Sequence, residues 1–203
     1  MQSKLSFIVI VIVFSLFSGY KLNAQTNLEK YKFYYDLRVG LGACNIKGDF
    51  PEKMIPAMNV KLSFVPMVRV FNNLIVESDL GVTSFSNAYK KDNLRLYKAQ
   101  YFQVPLLFRS FFHKKYSVAL GGTCNVLTKA VEYVNNADTK TVKINSQMKK
   151  IFPSATAGIQ YGNNGAYFGF VYDYGLGSIH KENISWKASS FRLYFQWNFS
   201  ERF

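Results

Sequence analysis

The sequence predicts an all-β protein: an eight-stranded antiparallel up-and-down transmembrane β-barrel that follows an N-terminal signal peptide. Three observations favour this fold. Apolar and polar residues alternate in long segments, short and long connections alternate between those segments, and charges lie on the polar faces of the segments. The chain has 203 residues, of which 19 are Phe and 14 are Tyr. Such an aromatic excess is typical of strands and of the girdles of membrane barrels, although a large soluble β-sandwich would share it.

The N-terminus has the organisation of a signal peptide. Lys4 supplies positive charge, and residues 5–17 form an apolar run interrupted only by serines. This run is shorter than the ~20 residues that a membrane-spanning helix needs, so we predict a signal peptide over residues 1–24 with cleavage after Ala24. A retained N-terminal anchor is the alternative. The barrel domain is then predicted over residues 25–203. Beyond residue 24 no apolar stretch is long enough for a helical span, so any insertion must be by strands.

The strands are predicted from a period of two, because successive side chains leave a pleated strand on opposite faces. The last segment is the clearest, since Phe191, Leu193 and Phe195 alternate with Arg192 and Tyr194. Eight segments show this pattern: residues 32–46, 58–71, 74–85, 97–112, 116–130, 151–161, 166–177 and 189–203. Most are longer than the five or six residues typical of globular strands.

The connections support a membrane barrel over a sandwich. Short links at 72–73, 113–115 and 162–165 alternate with long ones, which we predict at residues 47–57, 86–96, 131–150 and 178–188. Short periplasmic turns and long outer loops are typical of up-and-down membrane barrels. The Greek-key connections of a β-sandwich are not expected to alternate between short and long in this way. A soluble lipocalin-like barrel is the closest alternative, but its interior should be apolar.

Charged residues within the strands share the polar face. If the apolar face contacts lipid, opposite charges converge in one lumen together with Gln103. The candidate lumen network comprises Asp36, Arg38, Lys61, Arg69, Glu77, Asp79, Arg109, Asp173 and Arg192. An eight-stranded barrel has an interior that side chains just fill, so we predict a packed network and no conduction path. Burying these charges is costly unless each has a partner.

The net charge of +13 at pH 7 suggests an anionic neighbour. The predicted loops hold many of the cations, and we predict contacts with anionic outer-membrane lipids, with lipopolysaccharide as a candidate, through Lys90, Lys91, Arg95, Lys140, Lys143, Lys149 and Lys150. A solvated loop surface is the alternative. Nucleic acid is disfavoured as a partner because of the export signal and the absence of a recognition motif.

The sequence offers little for catalysis, and we predict that the protein is not an enzyme. His113 lies in a short turn, and His180 lies in a loop with Ser178 and Glu182, which leaves a loop-borne hydrolase as a minor alternative. Two distant histidines and two separated cysteines give no metal-ligand spacing, and no cofactor is predicted.

The two cysteines are predicted to remain free thiols. The alternation places Cys44 inside the barrel and Cys124 toward lipid, and their strands lie across the barrel from each other. A disulfide needs Cα atoms within about 7 Å and converging Cβ vectors.

The segment YFQVPLLFR at residues 101–109 resembles the YLEIPLLLK segment of the outer-membrane β-barrel domain common in Bacteroidetes, often described as porin-family or PorT-like. Shorter matches are GG at 121–122 and YDYGL at 172–176. This chain has Gln103 where the family often has Glu. The resemblance implies an outer-membrane location, and it implies that Phe203 ends an insertion signal that the barrel insertion machinery recognises.

From these observations we predict a structural or surface-interaction protein that binds through basic outer loops. The resemblance suggests PorT-like assistance to transport or secretion across the outer membrane as the alternative.

Overall fold

The computed structural model describes residues 33–48, 55–90, 94–113, 115–135, 139–163, 165–181 and 186–198. The predicted signal peptide, Lys91 and Phe203 lie outside these residues. The described residues form the strands β1 (Phe33–Lys47), β2 (Ile55–Phe71), β3 (Leu74–Glu77), β4 (Leu80–Lys90), β5 (Leu94–His113), β6 (Tyr116–Asn135), β7 (Thr139–Lys143), β8 (Ile151–Asn163), β9 (Ala166–Gly175) and β10 (Lys187–Asn198). No described segment is a helix long and apolar enough to cross a membrane.

The strands close into a ring of eight. β1 pairs antiparallel with both β2 and β10, and the ring continues through β5, β6, β8 and β9. β3 and β4 occupy one position in the ring, because both pair with β2 and β5 and only Ser78 and Asp79 separate them. Closure satisfies the backbone groups that an open sheet edge would leave unpaired. The predicted eight-stranded antiparallel barrel is confirmed.

The short turns lie where the sequence predicted them, at one end of the barrel that we call the turn end. Asn72 and Asn73 form the β2–β3 turn. Gly165, before β9, has a φ of 85°, a conformation that glycine adopts without steric cost. The opposite end, where the long connections lie, is called the loop end.

Two of the predicted long connections, at residues 86–96 and 131–150, are partly strand. β4 continues to Lys90, and β5 and β6 stay paired up to Leu94 and Asn135, so the hairpins extend past the predicted strand ends. β7 adds to this extension by pairing with β6. The prediction missed these parts because a period of two is visible only where one face is apolar. Beyond the lipid both faces can be polar.

The exposure pattern is that of a membrane barrel. Leu193, Phe168 and Leu62 are 67%, 61% and 61% exposed, whereas Arg192 and Lys61, their neighbours along the strand, are buried. An apolar outer surface around a charged interior is unfavourable in water and favourable in lipid. The soluble lipocalin-like alternative is therefore wrong.

The sequence suggested an interior that is polar throughout. The structure instead shows three layers. The middle is polar. The loop end is filled by an apolar cluster that comprises Cys44, Ile46, Phe85, Ala99, Tyr101, Ala130, Ile144, Met148, Phe152, Ile179, Trp186 and Ala188. A smaller cluster of Tyr34, Val65, Met67, Ile75 and Phe111 fills the turn end. The segments after β7 and after β9 fold over the loop end, so apolar side chains there are hidden from water and gain the usual stabilisation of burial.

Candidate functional site

A buried ion-pair network occupies the middle of the lumen, and its strongest pair joins β3 to β5. Arg109 approaches Glu77 with both ends of its guanidinium fork: Nε to Oε2 and Nη2 to Oε1 are each 2.7 Å. Bidentate arginine–carboxylate pairs of this kind are among the stronger hydrogen-bonded contacts in proteins. Arg109 Nη1 also donates to the hydroxyl of Ser117 on β6, at 3.0 Å.

Arg38 on β1 connects this pair to a second carboxylate. Its Nη1 lies 2.9 Å from Asp79 Oδ2, and its Nη2 lies 3.3 Å from Glu77 Oε1. Lys61 Nζ on β2 also lies 2.9 Å from Asp79 Oδ2. Gln196 accepts from Arg38 and donates to Asp36, which brings a third carboxylate into contact with the network. Every one of these side chains is buried. Burial makes the mutual pairing essential, because an unpaired charge there would be strongly destabilising.

The break between β3 and β4 is fixed by backbone contacts. The N–H of Ser78 donates to the carbonyl of Pro66 at 2.9 Å, and its hydroxyl donates to the carbonyl of Pro105 at 2.6 Å. Glu77 and Asp79, on either side, both point inward and are buried. The break therefore preserves the inward parity of the two carboxylates.

A second cluster lies toward the loop end, around Asp173 on β9. Arg192 on β10 pairs with Asp173, which also accepts from Thr156 at 2.6 Å. Arg192 Nη1 lies 3.1 Å from Ser190 Oγ and 3.5 Å from Asn59 Oδ1. The cluster thus joins β2, β8, β9 and β10 across the barrel.

Neutral polar side chains complete this layer on the other wall. Gln103 donates to Asn125 at 2.7 Å, and Asn125 donates to the hydroxyl of Ser154 at 3.0 Å. Thr123 and Thr156 hydroxyls lie 2.7 Å apart. All five side chains are buried. Their hydrogen bonds connect β5 to β6 and β6 to β8.

The structure places eight of the nine predicted lumen residues in the interior. The ninth, Arg69, keeps the inward parity of β2, since it lies opposite the buried Ile75. Its guanidinium donates to the carbonyls of Phe71 (3.3 Å) and Asn72 (2.6 Å) at the β2–β3 turn. Arg69 therefore stabilises the turn. Tyr194 and Gln196 were not among the nine predicted lumen residues, but they continue the inward alternation from Arg192 and are buried in contact with the network.

The basic residues predicted to contact lipid are only partly described. Lys143 and Lys150 are exposed, and Lys149 is half-buried with its backbone N–H bonded to the carbonyl of Ile179 at 2.8 Å. Lys90, Arg95 and Lys140 lie in strands, but their side chains are outside the described part, as is all of Lys91.

Ser178 and His180, two of the residues of the alternative hydrolase site, make contacts within the segment between β9 and β10. The Ser178 hydroxyl accepts from the backbone N–H groups of His180 and Trp186, each at 3.2 Å. The His180 ring packs against Trp186, with ring centroids 4.6 Å apart. Glu182 lies outside the described residues. These contacts fold the β9–β10 segment over the loop end. Among the described residues, no group of three or more His, Cys, Asp or Glu side chains could hold a metal ion.

Comparison with solved structures identifies small outer-membrane barrels with the same fold. Neisserial surface protein A (NspA) superposes with a TM-score of 0.53 at 10% identity, covering 81% of this chain and 97% of that one. Ail, the attachment invasion locus protein of Yersinia pestis, in complex with the heparin analogue sucrose octasulfate, gives a TM-score of 0.52 at 12% identity, covering 83% and 99%. No protein-family model and no characterised sequence matches the chain. The shared feature is therefore the outer-membrane β-barrel fold.

Proposed function

We propose that this protein is a closed outer-membrane barrel that acts as a surface-interaction protein, with its basic loop end facing outward to bind anionic partners. The observation that carries this proposal is the filled lumen. The described residues leave no open path through the lumen, so we assign the function to the surface at the loop end. Export by the predicted signal peptide is part of the proposal.

Side chains of the described residues fill the lumen at each level. At the loop end, Tyr101 packs edge-to-face against Phe85 and Phe152, with ring centroids 5.5 and 5.0 Å apart. The ion-pair network fills the middle. The space at the turn end beside Glu77 and Arg109 measures about 10 Å³, which is no more than about one water molecule. Solute passage would require the breaking of buried ion pairs.

The charge of the loop end supports an anionic partner. Lys129, Lys143, Lys150 and Lys181 are exposed there, and the whole chain carries a net charge of +13. The structure of Ail holds a polysulfated sugar, so a barrel of this size and fold can present a surface that accepts a polyanion. Exposed lysines attract such partners over about one Debye length, which makes the binding sensitive to salt.

The PorT-like resemblance suggests assistance to secretion as the alternative function. The closed lumen limits that role to contacts at the barrel surface, because cargo would have no route through the barrel itself. Conductance measurements address both functions. In planar bilayers the purified barrel should give no stepwise current, and reproducible single-channel steps would contradict the closed lumen.

Binding at the loop end is tested by affinity for heparin, the polyanion used as the probe. The barrel refolded in a non-ionic detergent should bind immobilised heparin and elute with salt, and Lys143→Gln or Lys150→Gln should elute at lower salt. Lys115→Gln removes one exposed charge at the turn end and is the matched control. Equal shifts for all three variants would assign binding to net charge and contradict a loop-end site.

A further inference from the structure

A cleft of about 250 Å³ lies on the outward face of the barrel where β1, β9 and β10 reach the loop end. It is lined by Lys47, Gly48, Tyr172, Tyr174, Lys187 and Ser189. These residues were not among those predicted to contact lipid. The cleft combines two cations with two aromatic rings on the surface of the barrel wall.

The two lysines of the cleft are direct cross-strand partners. Lys47 and Lys187 form the last pair of the β1–β10 ladder, and both follow the outward parity of their strands. Side chains opposite each other on neighbouring strands have Cβ atoms about 5 Å apart, and like charges in this arrangement destabilise the sheet. Neither ammonium group forms a salt bridge with an acidic side chain of the described residues. An anion bound between them would relieve the repulsion.

The surface changes from charged to apolar directly below this pair. Ser189 lies opposite Tyr174, and Phe191 lies opposite Tyr172 in the next outward row. Both tyrosines are exposed, by 41% at Tyr172 and 44% at Tyr174. Tyrosine at a membrane interface places its ring toward lipid and its hydroxyl toward the headgroups. The rows therefore mark the boundary between hydrocarbon and headgroups.

The height of the lysine pair agrees with this boundary. Along β10, Trp197 lies ten positions after Lys187 and is an exposed aromatic residue near the turn end. At about 3.3 Å per residue and a strand tilt of about 40°, this corresponds to a rise of about 25 Å, the height of the apolar band of outer-membrane barrels. Lys47 and Lys187 are then level with the phosphates of the loop-end leaflet.

We propose that Lys47 and Lys187 together hold the phosphate group of a lipid headgroup, while Tyr172 and Tyr174 line the passage of that lipid into the hydrocarbon. The inference rests on the proposed outer-membrane placement, with the loop end at the outer leaflet. Two ammonium groups supply charge-assisted hydrogen bonds to the phosphate oxygens. The site is distinct from the exposed loop lysines that serve the proposed polyanion binding.

The test measures lipid retention by native mass spectrometry of the full barrel in a non-ionic detergent. The probes are dioleoyl phosphatidic acid and dioleoylglycerol, which differ only in the phosphate. We expect preferential retention of phosphatidic acid, and we expect Lys47→Gln/Lys187→Gln to weaken it about tenfold, as for the loss of charge-assisted bonds. Lys47→Arg/Lys187→Arg should retain it. Lys98→Gln/Lys115→Gln removes the same charge at two lysines that lie outside the cleft and outside the predicted lipid contacts, and it should leave retention unchanged. Heat-modifiable electrophoretic mobility checks that each variant is folded.

Three results would overturn the site. Equal retention of the two lipids would show that the phosphate is not recognised. Equal weakening by both Gln double variants would assign retention to the general charge of the barrel, a result that leaves the heparin test of the proposed function unaffected. Displacement of the lipid by millimolar inorganic phosphate would identify a site for free anions in place of a lipid site. A failure of heparin binding alone would overturn the proposed function and leave the lipid site standing.

Discussion

The guanidinium carbon of Arg38 lies 4.4 Å from the centroid of the Tyr194 ring, so a cation–π contact accompanies the ion pairs at the centre of the lumen. On β10, Tyr194 lies between Gly40 of β1 and Gly169 of β9 in the register. Its hydroxyl donates to Gln160 at 2.9 Å and lies 3.4 Å from Arg109 Nη2. Gly169 leaves the space that this ring occupies, and the ring in turn contacts Arg38, Arg109 and Gln160 of the network.

Gly169→Ala should destabilise the barrel. A Cβ at Gly169 would overlap Cζ and Oη of Tyr194 and lie 2.6 Å from the carbonyl oxygen of Ile159. Overpacking of this kind costs about 1–3 kcal/mol. Urea unfolding in lipid vesicles, followed by tryptophan fluorescence, measures the change. Gly122→Ala is the control, because the nearest atom to its Cβ is the Ser154 carbonyl oxygen at 3.8 Å. Equal stabilities of the two variants would contradict the packing of Tyr194.

Glu77→Gln should be among the most destabilising single substitutions in the lumen. It removes the carboxylate that faces Arg109 at 2.7 Å and Arg38 at 3.3 Å. Removing one partner of a buried ion pair typically costs about 3–5 kcal/mol, because a charge is left without compensation. The same urea titration applies. Glu77→Gln/Arg109→Met should cost less than the sum of the two single variants, whereas additive losses would show that the pair is not coupled.

The two thiols should differ in reactivity. Both cysteines are free, with Cys44 buried in the loop-end cluster and Cys124 exposed on the outer wall, which confirms the parity prediction. N-ethylmaleimide should therefore modify only Cys124 in the folded barrel in detergent, and both thiols after unfolding. Mass spectrometry of the unreduced protein reads out both states. Rapid modification of Cys44 in the folded barrel would show that the apolar cluster does not seal the loop end.

An epitope inserted at residues 136–138, between β6 and β7, should be accessible to antibody on intact cells. An insertion beside Lys115 at the turn end should be accessible only after the outer membrane is permeabilised, because Lys115 directly precedes β6 and Asn135 is the last residue of that strand. The paired insertions control for epitope recognition. The reverse pattern would place the turn end outside and would contradict both the proposed orientation and the lipid site.

Much of the fold was predictable because the chain alternates where one face meets lipid. The outward leucines and the inward ions of β2 and β10 follow directly from a period of two. The extensions of β4, β5 and β6 were not predictable in this way, because they lack a continuous apolar face. Alternation predicted the inward parity of Arg69, which lies opposite Ile75, but it could not predict that the guanidinium bonds the carbonyls of Phe71 and Asn72 at the turn.

The sequence by itself determined which side chains leave each strand inward and which leave it outward, since that depends only on the pleat. It thereby determined that the barrel would have a charged interior. Only the tertiary structure decided which charges pair, as when Arg38 contacts both Glu77 and Asp79 from strands distant in sequence. It also placed Lys47 opposite Lys187. These contacts depend on the relative register of strands in a closed ring and on the loops folded over it, and alternation within a single strand carries no information about either.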